Sequence, residues 1–191
     1  MSVLPDYLIP NLRVVFCGTA AGERSAARGH YYSGPGNKFW PLLHDSRILP
    51  VPFGPEMDMD VLGFGIGLTD LAQKRSASRD DRLSRGDFDL PVLIEKMQRY
   101  QPGWLAFHGK KAAQETSRGL GFGRKVSLGR QEWTVGGVRV FVVPSGSGSN
   151  QNPANLEGKP SRLAWFQELA AELPEWTDAD QSRTRNPAKG E

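Results

Sequence analysis

The sequence has very little cysteine and no long apolar run. Cys17 is the single cysteine among 191 residues, so no disulfide can form within the chain, and a structural zinc site that needs paired cysteines is excluded. No apolar run approaches the roughly 20 residues of a membrane-spanning helix. The opening residues, MSVLPDYLIPNLR, lack the uninterrupted apolar segment of a signal peptide. We therefore expect a cytoplasmic protein in a reducing compartment, with no membrane partner.

A strong excess of one charge is also missing. The formal net charge is only +3, which permits binding to a polyanion but does not demand it. A chain of 191 residues, 38% of them hydrophobic, can bury one substantial core but is too short for two ordinary domains. We expect one monomeric domain over residues 1–176 and a polar, disordered tail over residues 177–191.

Short apolar runs alternate with helical patterns along the chain. Residues 12–18, LRVVFCG, and residues 104–109, WLAFHG, are apolar runs that end in glycine, as buried strands do. In DFDLPVLIEKMQRYQ the apolar residues recur every three or four positions, the spacing of an amphipathic helix. Helices are also expected in NKFWPLLHDS, KKAAQETSRGL and SRLAWFQELAAEL, and a hairpin that turns at Gly136 and Gly137 is expected between VSLGRQEWTV and VRVFVVPS. This alternation predicts a single α/β domain with a mostly parallel central sheet flanked by helices.

Two long segments lack apolar periodicity. Residues 19–37 are rich in Gly, Ala and Ser, with Pro35 between two glycines, a composition that favours a loop lying close to a ligand. Residues 73–87, QKRSASRDDRLSRGD, are mostly polar and predict a solvent-exposed, mobile loop.

Three segments in order resemble the mismatch-specific uracil-DNA glycosylase and thymine-DNA glycosylase branch of the uracil-DNA glycosylase superfamily. They are FCGTAAGERSAARGHYYSGPGNKFW at residues 16–40, FGIGLTDL at residues 64–71 and VVPSGSGSNQ at residues 142–151. The resemblance covers roughly residues 12–173, and GHYYSGPGNKFW is its most specific part. It implies a three-layer fold of the uracil-DNA glycosylase kind, DNA as partner and no cofactor. Each segment follows or ends a predicted strand, so we expect the three to line one cleft.

The first segment departs from the family at its catalytic position. In similar enzymes a glycine, an aliphatic residue, an asparagine, a proline and a glycine follow the strand, and the asparagine positions the attacking water. The same five places here read Gly18, Thr19, Ala20, Ala21 and Gly22. Because the side chain of Ala20 cannot orient water, either another residue has taken over or the protein binds damaged DNA without cutting it.

We favour Asp70, in GLTDL, as the replacement. It falls where related enzymes carry a polar residue directed into the base pocket, and its carboxylate could act as general base or stabilise an oxocarbenium-like sugar. The alternative is that Asp70 caps a local turn or helix. The resemblance makes Tyr32 the face that stacks on a flipped base, with packing within the loop or core as the alternative. The expected base-binding pocket comprises Gly18, Thr19, Ala20, Tyr32 and Asn37.

Asn37 has a second interpretation, because it ends the GPGN turn and could cap the following helix, a role that we favour over direct base contact. His30 and His108 lie near the motifs, and we interpret both as structural hydrogen-bonding groups rather than acids or bases.

The third segment resembles the part of similar enzymes that fills the hole left by the flipped base. Here the residues at its tip are small, which argues against strong wedging, and a flexible Gly-Ser linker is the alternative. Residues 110–130 contain six Lys and Arg that could follow the DNA backbone or form a solvated face. The residues expected to bind DNA are Arg24, Lys38, Ser145, Gly146, Ser147, Gly148, Ser149 and Asn150.

Three functions compete at this point. The first is a monofunctional uracil-DNA glycosylase that uses water and leaves an abasic site, since no lysine occupies a motif position suited to a Schiff base. The second is a non-catalytic binder of damaged or mismatched DNA. The third, a small-molecule α/β enzyme whose glycine-rich loop binds phosphate, lacks the GxGxxG pattern. We expect no metal site, and an association with the nucleoid if the protein is bacterial.

Overall fold

The fold is organised around a five-stranded sheet. In this computed structural model, residues 2–77, 82–147 and 152–176 are described. The strand order is β2-β1-β3-β5-β4, and all neighbours are parallel except the β4–β5 pair. The single α/β domain with a mostly parallel sheet is thereby confirmed. The strands are β1 (Val14–Gly18), β2 (Ile66–Asp70), β3 (Trp104–His108), β4 (Gly129–Val135) and β5 (Val138–Val143).

Five α-helices flank this sheet. On one side α2 packs against α5, and α5 also contacts β4 and β5, whereas α3 packs against β4 and α4 against β3 and β5. The segment that leads into β2 is a 3₁₀-helix over Pro55–Phe64. None of the helices in the described part of the chain is long and apolar enough to cross a membrane. The helices are α1 (Glu23–Arg28), α2 (Phe39–Asp45), α3 (Leu90–Tyr100), α4 (Lys110–Gly119) and α5 (Arg162–Glu172).

Strands β1, β2 and β3 form the centre of the core because both of their faces are covered. Every residue of β1, β2 and β3 is buried, as expected for strands with helices on both faces. Phe16 of β1 meets Phe39 of α2 edge to face at 5.2 Å and stacks against Phe166 of α5 at 6.3 Å. Since side chains alternate along a strand, Gly18 lies on the same face as Phe16, and Cys17 lies on the opposite face.

The two predicted loops differ from expectation in detail. Residues 19–37 include α1, which the sequence pattern does not reveal; it spans only six residues and ends at Gly29, whose φ of 74° is the left-handed conformation that glycine adopts at low cost. In the polar segment 73–87, Ser76 forms a bridge with Ala21, and Arg82 pairs with Glu23, so its described parts lie against the first loop. Residues 78–81 and the predicted tail 177–191 lie outside the described residues.

Candidate active site at the carboxyl ends of the strands

A cavity of about 800 Å³ opens at the carboxyl ends of β1, β2 and β3. Ligands in open α/β sheets bind at this edge, and described residues of all three motif segments line the cavity, as expected from the place of each segment at a strand end. Of the predicted site residues, the cavity lining includes Gly18, Thr19, Ala20, Arg24, Tyr32, Asn37, Asp70, Ser145 and Ser147.

Asp70 is the last residue of β2 and faces this cavity. Its Cα pairs with that of Gly18 across the β1–β2 ladder. Only 6% of Asp70 is exposed, and among the described residues no donor or cation forms a hydrogen bond or ion pair with its carboxylate. The side chain does not cap a turn or helix there, and this leaves the carboxylate open to a ligand or to water in the cavity.

The protonation of Asp70 is unusual for an aspartate. Burial, and secondly the negative charge of Asp6, raise its pKa from 3.8 to about 7, while Lys96 acts in the opposite direction. A carboxyl group with this pKa exchanges protons near neutral pH, which is the property that general acid–base chemistry requires.

Gly18 makes room for this carboxylate. A Cβ at Gly18 would collide with Asp70 Oδ1, and it would also lie 3.3 Å from the hydroxyl oxygen of Tyr32. The Asp70 carboxylate and the Tyr32 hydroxyl therefore share the space above the Cα of Gly18. The Tyr32 hydroxyl is buried and has no hydrogen-bond partner among the described residues. Buried hydroxyls usually have a partner, so this one is a candidate to bond a ligand in the cavity, whose lining includes Tyr32.

The ring of Tyr32 is held by other aromatic side chains. It packs against Phe39 with ring centroids 3.9 Å apart and meets His108 edge to face at 4.7 Å. Its backbone has φ of 54°, which is uncommon for a bulky residue. The structure thus places Tyr32 in the cavity wall, with packing against Phe39 in addition; base stacking stays a prediction.

A buried carboxylate holds the loop that carries Tyr32. Asp58 is 2% exposed, and its Oδ2 accepts a hydrogen bond from the backbone N–H of Tyr31 at 2.8 Å. Its Oδ1 accepts from the hydroxyl of Tyr7 at 3.2 Å and lies 3.3 Å from His30 Nδ1. Asp58 therefore fixes the backbone next to the strained Tyr32. His30 has a structural contact, as expected from its place in the sequence.

Asn37 supports the start of α2. Its Oδ1 accepts a hydrogen bond from the backbone N–H of Phe39 at 2.9 Å. This contact satisfies an amide at the beginning of the helix and agrees with the capping interpretation, although the N-cap position itself is Lys38.

His108 ties the third motif to the sheet. Its Nε2 accepts a hydrogen bond from the backbone N–H of Gly146 at 2.7 Å, and burial, with a smaller effect of Arg162, lowers its pKa to about 3. His108 is therefore neutral at physiological pH and acts as the structural group that we expected. The carbonyl of Gly146 accepts from the backbone N–H of Lys38 at 2.8 Å, so Gly146 joins two motifs while neither it nor Lys38 lines the cavity.

The basic residues that could contact DNA differ in their surroundings. Arg24 at the cavity rim is exposed and has no ion pair among the described residues. Most of the basic stretch is paired within the protein, since Glu115 contacts Lys111, Arg118 and Arg124, and Lys110 contacts Glu157. In the third segment, Ser145 and Ser147 line the cavity, whereas Gly148, Ser149 and Asn150 lie outside the described residues.

The roles of two further groups at the site were not predicted from the sequence. Asp58 lies 27 positions after Tyr31, and the Asp6–Lys96 pair bridges the N-terminal segment and α3. No local pattern marks either contact. Within the described ranges, no three His, Cys, Asp or Glu side chains group as metal ligands.

Comparisons with known proteins agree with this architecture. The solution NMR structure of a protein from Methanosarcina acetivorans, provisionally named a uracil DNA glycosylase, superposes with a TM-score of 0.55 at 24% sequence identity. The match covers 87% of this chain and 96% of that protein, which shows a shared fold. A family model of the Uracil DNA glycosylase superfamily matches residues 5–173. Since that match spans most of the 191 residues, the chain belongs to the uracil DNA glycosylase superfamily, a family of DNA-binding repair hydrolases.

Proposed function

We propose that this protein is a monofunctional DNA glycosylase that excises uracil from DNA with water as nucleophile and Asp70 as general base. The observation that carries the proposal is the buried carboxylate of Asp70, which has no protein partner among the described residues and faces the cavity beside Gly18. The flipped nucleotide would enter this cavity at the carboxyl ends of the strands.

The chemistry follows from the ionised form of Asp70. Its carboxylate accepts a proton from a water molecule as the water oxygen bonds to C1′ of the deoxyribose. The C1′–N bond breaks and its electron pair leaves with the base. Polar groups in the cavity wall, including the buried Tyr32 hydroxyl, stabilise the negative charge that develops on the base. Products are an abasic site and the free base.

The position of Ala20 supports the assignment of Asp70 as the general base. Ala20 lines the cavity where similar enzymes carry the asparagine that orients water, and an alanine offers no polar side chain. Asp70 enters the same cavity from the neighbouring strand. Its carboxylate is therefore the group in this wall that can take over the task.

The branch of the superfamily belongs to the proposal as well. The run GHYYSGPGNKFW at residues 29–40 supports assignment of the chain to the branch of the mismatch-specific uracil- and thymine-DNA glycosylases. We further propose that the protein acts as a monomer, in the cytoplasm, on DNA that contains uracil or mismatched bases.

The alternative is a non-catalytic binder of damaged DNA, and Ala20 is the observation that favours it. A binder would use the same cavity and the same rim, including Arg24, without activating water. The two functions differ in whether an abasic site forms.

The deciding experiment is single-turnover cleavage of uracil-containing single-stranded and duplex DNA, with strand breaks revealed by alkali. We expect cleavage by the wild type and a loss of at least about a hundredfold in Asp70→Asn, the size expected for an acid–base group. Glu172→Gln is the matched control, because this exposed carboxylate lies at the end of α5 near Trp104, at the opposite edge of the sheet.

Three results have separate meanings. Undiminished cleavage by Asp70→Asn removes Asp70 from catalysis. An inactive wild type that still binds uracil-DNA more tightly than matched undamaged DNA establishes the binder. Equal loss in Glu172→Gln assigns the effect to folding, which circular dichroism of both variants checks.

A further inference from the structure

An ion pair lies behind the strand end that carries Asp70. Lys96 on α3 places its Nζ 2.6 Å from Oδ2 of Asp6 in the N-terminal segment. Their side chains are only 13% and 25% exposed, so solvent screens this pair less than it screens a surface pair.

The pair is bonded to the chain on both sides of Asp70. Asp6 Oδ1 accepts a hydrogen bond from the hydroxyl of Thr69 at 2.6 Å and another from the side-chain amide of Gln73. Lys96 Nζ donates to the Thr69 hydroxyl at 3.3 Å. Thr69 directly precedes Asp70, and Gln73 follows it by three positions. The backbone that orients Asp70 is therefore fixed to one partly buried charge pair.

The N-terminal segment holds Asp6 in this place. Tyr7 and Leu68 form an antiparallel bridge in which each backbone N–H donates to the other carbonyl, at 2.9 and 3.0 Å. Since Leu68 lies two residues before Asp70 on β2, Asp6 keeps a set position relative to that strand end.

Among the described residues, the other buried titratable groups near Asp70 are uncharged at neutral pH. Burial raises the pKa of Cys17 on β1 and of Tyr31 and Tyr32 in the cavity wall, and lowers that of His108 on β3. The remaining charges that the described residues contribute to the cavity lining belong to Glu23 and Arg24, which are exposed, and to Lys110, which is partly exposed. Of the described charges, Asp6 raises the pKa of Asp70 and Lys96 lowers it.

We propose that Asp6 and Lys96 are positioning residues whose ion pair anchors the end of β2 and whose opposing fields set the proton affinity of the Asp70 carboxylate. The effect on reaction rate rests on the proposed function above. The proton affinity of Asp70 is a property of the protein alone and is measurable without DNA.

The test is a carbon-13 NMR titration of the Asp70 side-chain carboxyl in the wild type, Asp6→Asn and Lys96→Met, with the signal assigned by its absence in Asp70→Asn. Asp6→Asn removes a negative charge while keeping an oxygen acceptor for Thr69. Lys96→Met removes the positive charge while keeping the apolar stem. Arg139→Met and Glu172→Gln remove charges at the amino edge of the sheet and serve as controls.

Asp6→Asn and Lys96→Met are expected to shift the titration midpoint of Asp70 in opposite directions. Loss of the Asp6 charge favours ionised Asp70 and lowers its titration midpoint by about one pH unit, and loss of the Lys96 charge raises the midpoint by about as much. Lys96→Arg keeps the positive charge and should therefore have the wild-type midpoint. The controls Arg139→Met and Glu172→Gln should also leave the midpoint unchanged. The midpoint of the single-turnover rate against pH moves in parallel.

Shifts of the same sign, or none, in the titrations of Asp6→Asn and Lys96→Met overturn the proposal and leave the pair as a structural anchor. If Asp6→Asn does not fold, Lys96→Met and Lys96→Arg still decide, because only the former is expected to shift the midpoint. A titration that shifts while the rate profile stays unchanged supports the electrostatic role of the pair and instead contradicts the assignment of Asp70 as general base.

Discussion

The carboxylate of Asp70 occupies the volume that a Cβ on Gly18 would fill, across the paired ends of β1 and β2. The first and second motifs are thus joined by direct contact between a residue without a side chain and the proposed general base. Any side chain at position 18 must move that carboxylate, because the backbone on both strands is buried and paired.

Gly18→Ala should fold and lose activity. The added methyl group meets the end of a side chain rather than backbone, so the carboxylate of Asp70 shifts while β1 stays in place. A displacement of about 1 Å can reduce a rate by about a hundredfold, and we expect a loss of that size in single-turnover cleavage. Gly63→Ala, whose Cβ would meet nothing within 4 Å, is the control. Full activity in Gly18→Ala would show that the exact place of the carboxylate is unimportant.

Asp70→Asn should stabilise the protein at high pH. Because folding raises the pKa of Asp70 from 3.8 to about 7, the folded state holds a proton that the unfolded chain releases. The favourable contribution of neutral Asp70 is complete below about pH 4 and is lost as pH rises towards about 7. At pH 8, the free energy of unfolding of the Asp70→Asn variant is expected to exceed that of the wild type by up to about 4 kcal/mol. At pH 4 the two proteins should be nearly equally stable.

Urea unfolding at both pH values measures this difference. Glu172→Gln should show little pH-dependent difference from wild type. A stability gain of the same size at pH 4 and pH 8 would mean that the titration of Asp70 is not its cause.

Tyr32→Phe separates the ring of Tyr32 from its hydroxyl. The ring keeps its packing on Phe39, and the loss of a buried hydroxyl without a partner should raise the free energy of unfolding, by about 1 kcal/mol or more. If the hydroxyl stabilises the departing base, the single-turnover rate falls about tenfold or more while the Kd for DNA changes little. Tyr100→Phe on α3 is the control. An unchanged rate restricts Tyr32 to a packing role.

Asp58→Asn should loosen the loop that carries Tyr32. The amide oxygen can still accept from the N–H of Tyr31, and the amide nitrogen then faces the hydroxyl of Tyr7, which can accept; the variant therefore loses the negative charge that strengthens both hydrogen bonds. A loss of about 1–3 kcal/mol in stability is expected, together with a slower cleavage rate. Asp60→Asn, an exposed site in the same 3₁₀-helix, is the comparison. Equal stability of the two variants would exclude this restraint.

Arg24→Ala should weaken DNA binding in a salt-dependent way. Its exposed guanidinium at the cavity rim has no ion pair among the described residues, so it is available for a phosphate. Removal of one phosphate contact should reduce the slope of log K against log salt by about 1. Fluorescence anisotropy at several salt concentrations measures the slope, and Arg139→Ala at the opposite edge of the sheet is the control. A slope equal to that of the wild type would place Arg24 away from the DNA backbone.

The fold could be predicted from the sequence wherever the local pattern of residues determines the secondary structure. Apolar runs that end in glycine predict β1 and β3, and two glycines, which turn with φ of 57° and 87°, predict the β4–β5 hairpin. Helix α1 escapes prediction because six residues give too little periodicity to stand out from a glycine- and alanine-rich loop.

The candidate site could be predicted from the sequence only in part. Since parallel strands end at one edge of a sheet, the segments that contain Gly18 and Asp70 are predicted to line one cleft. The restraints behind them depend on contacts between residues far apart in sequence, such as Asp6 with Lys96 and Tyr31 with Asp58. A single sequence carries no periodic signal for such contacts, since their partners are chosen by the packing of separate elements.

The burial of Cys17 has a practical consequence. The side chain lies in the middle of the sheet on β1, between Thr69 on β2 and Phe107 on β3, and is 0% exposed. As the sole thiol of the chain, it reacts with an alkylating reagent only when these strands separate. The rate of alkylation therefore reports the opening of the sheet that positions Gly18, and the protein carries its own single-site label for following that event.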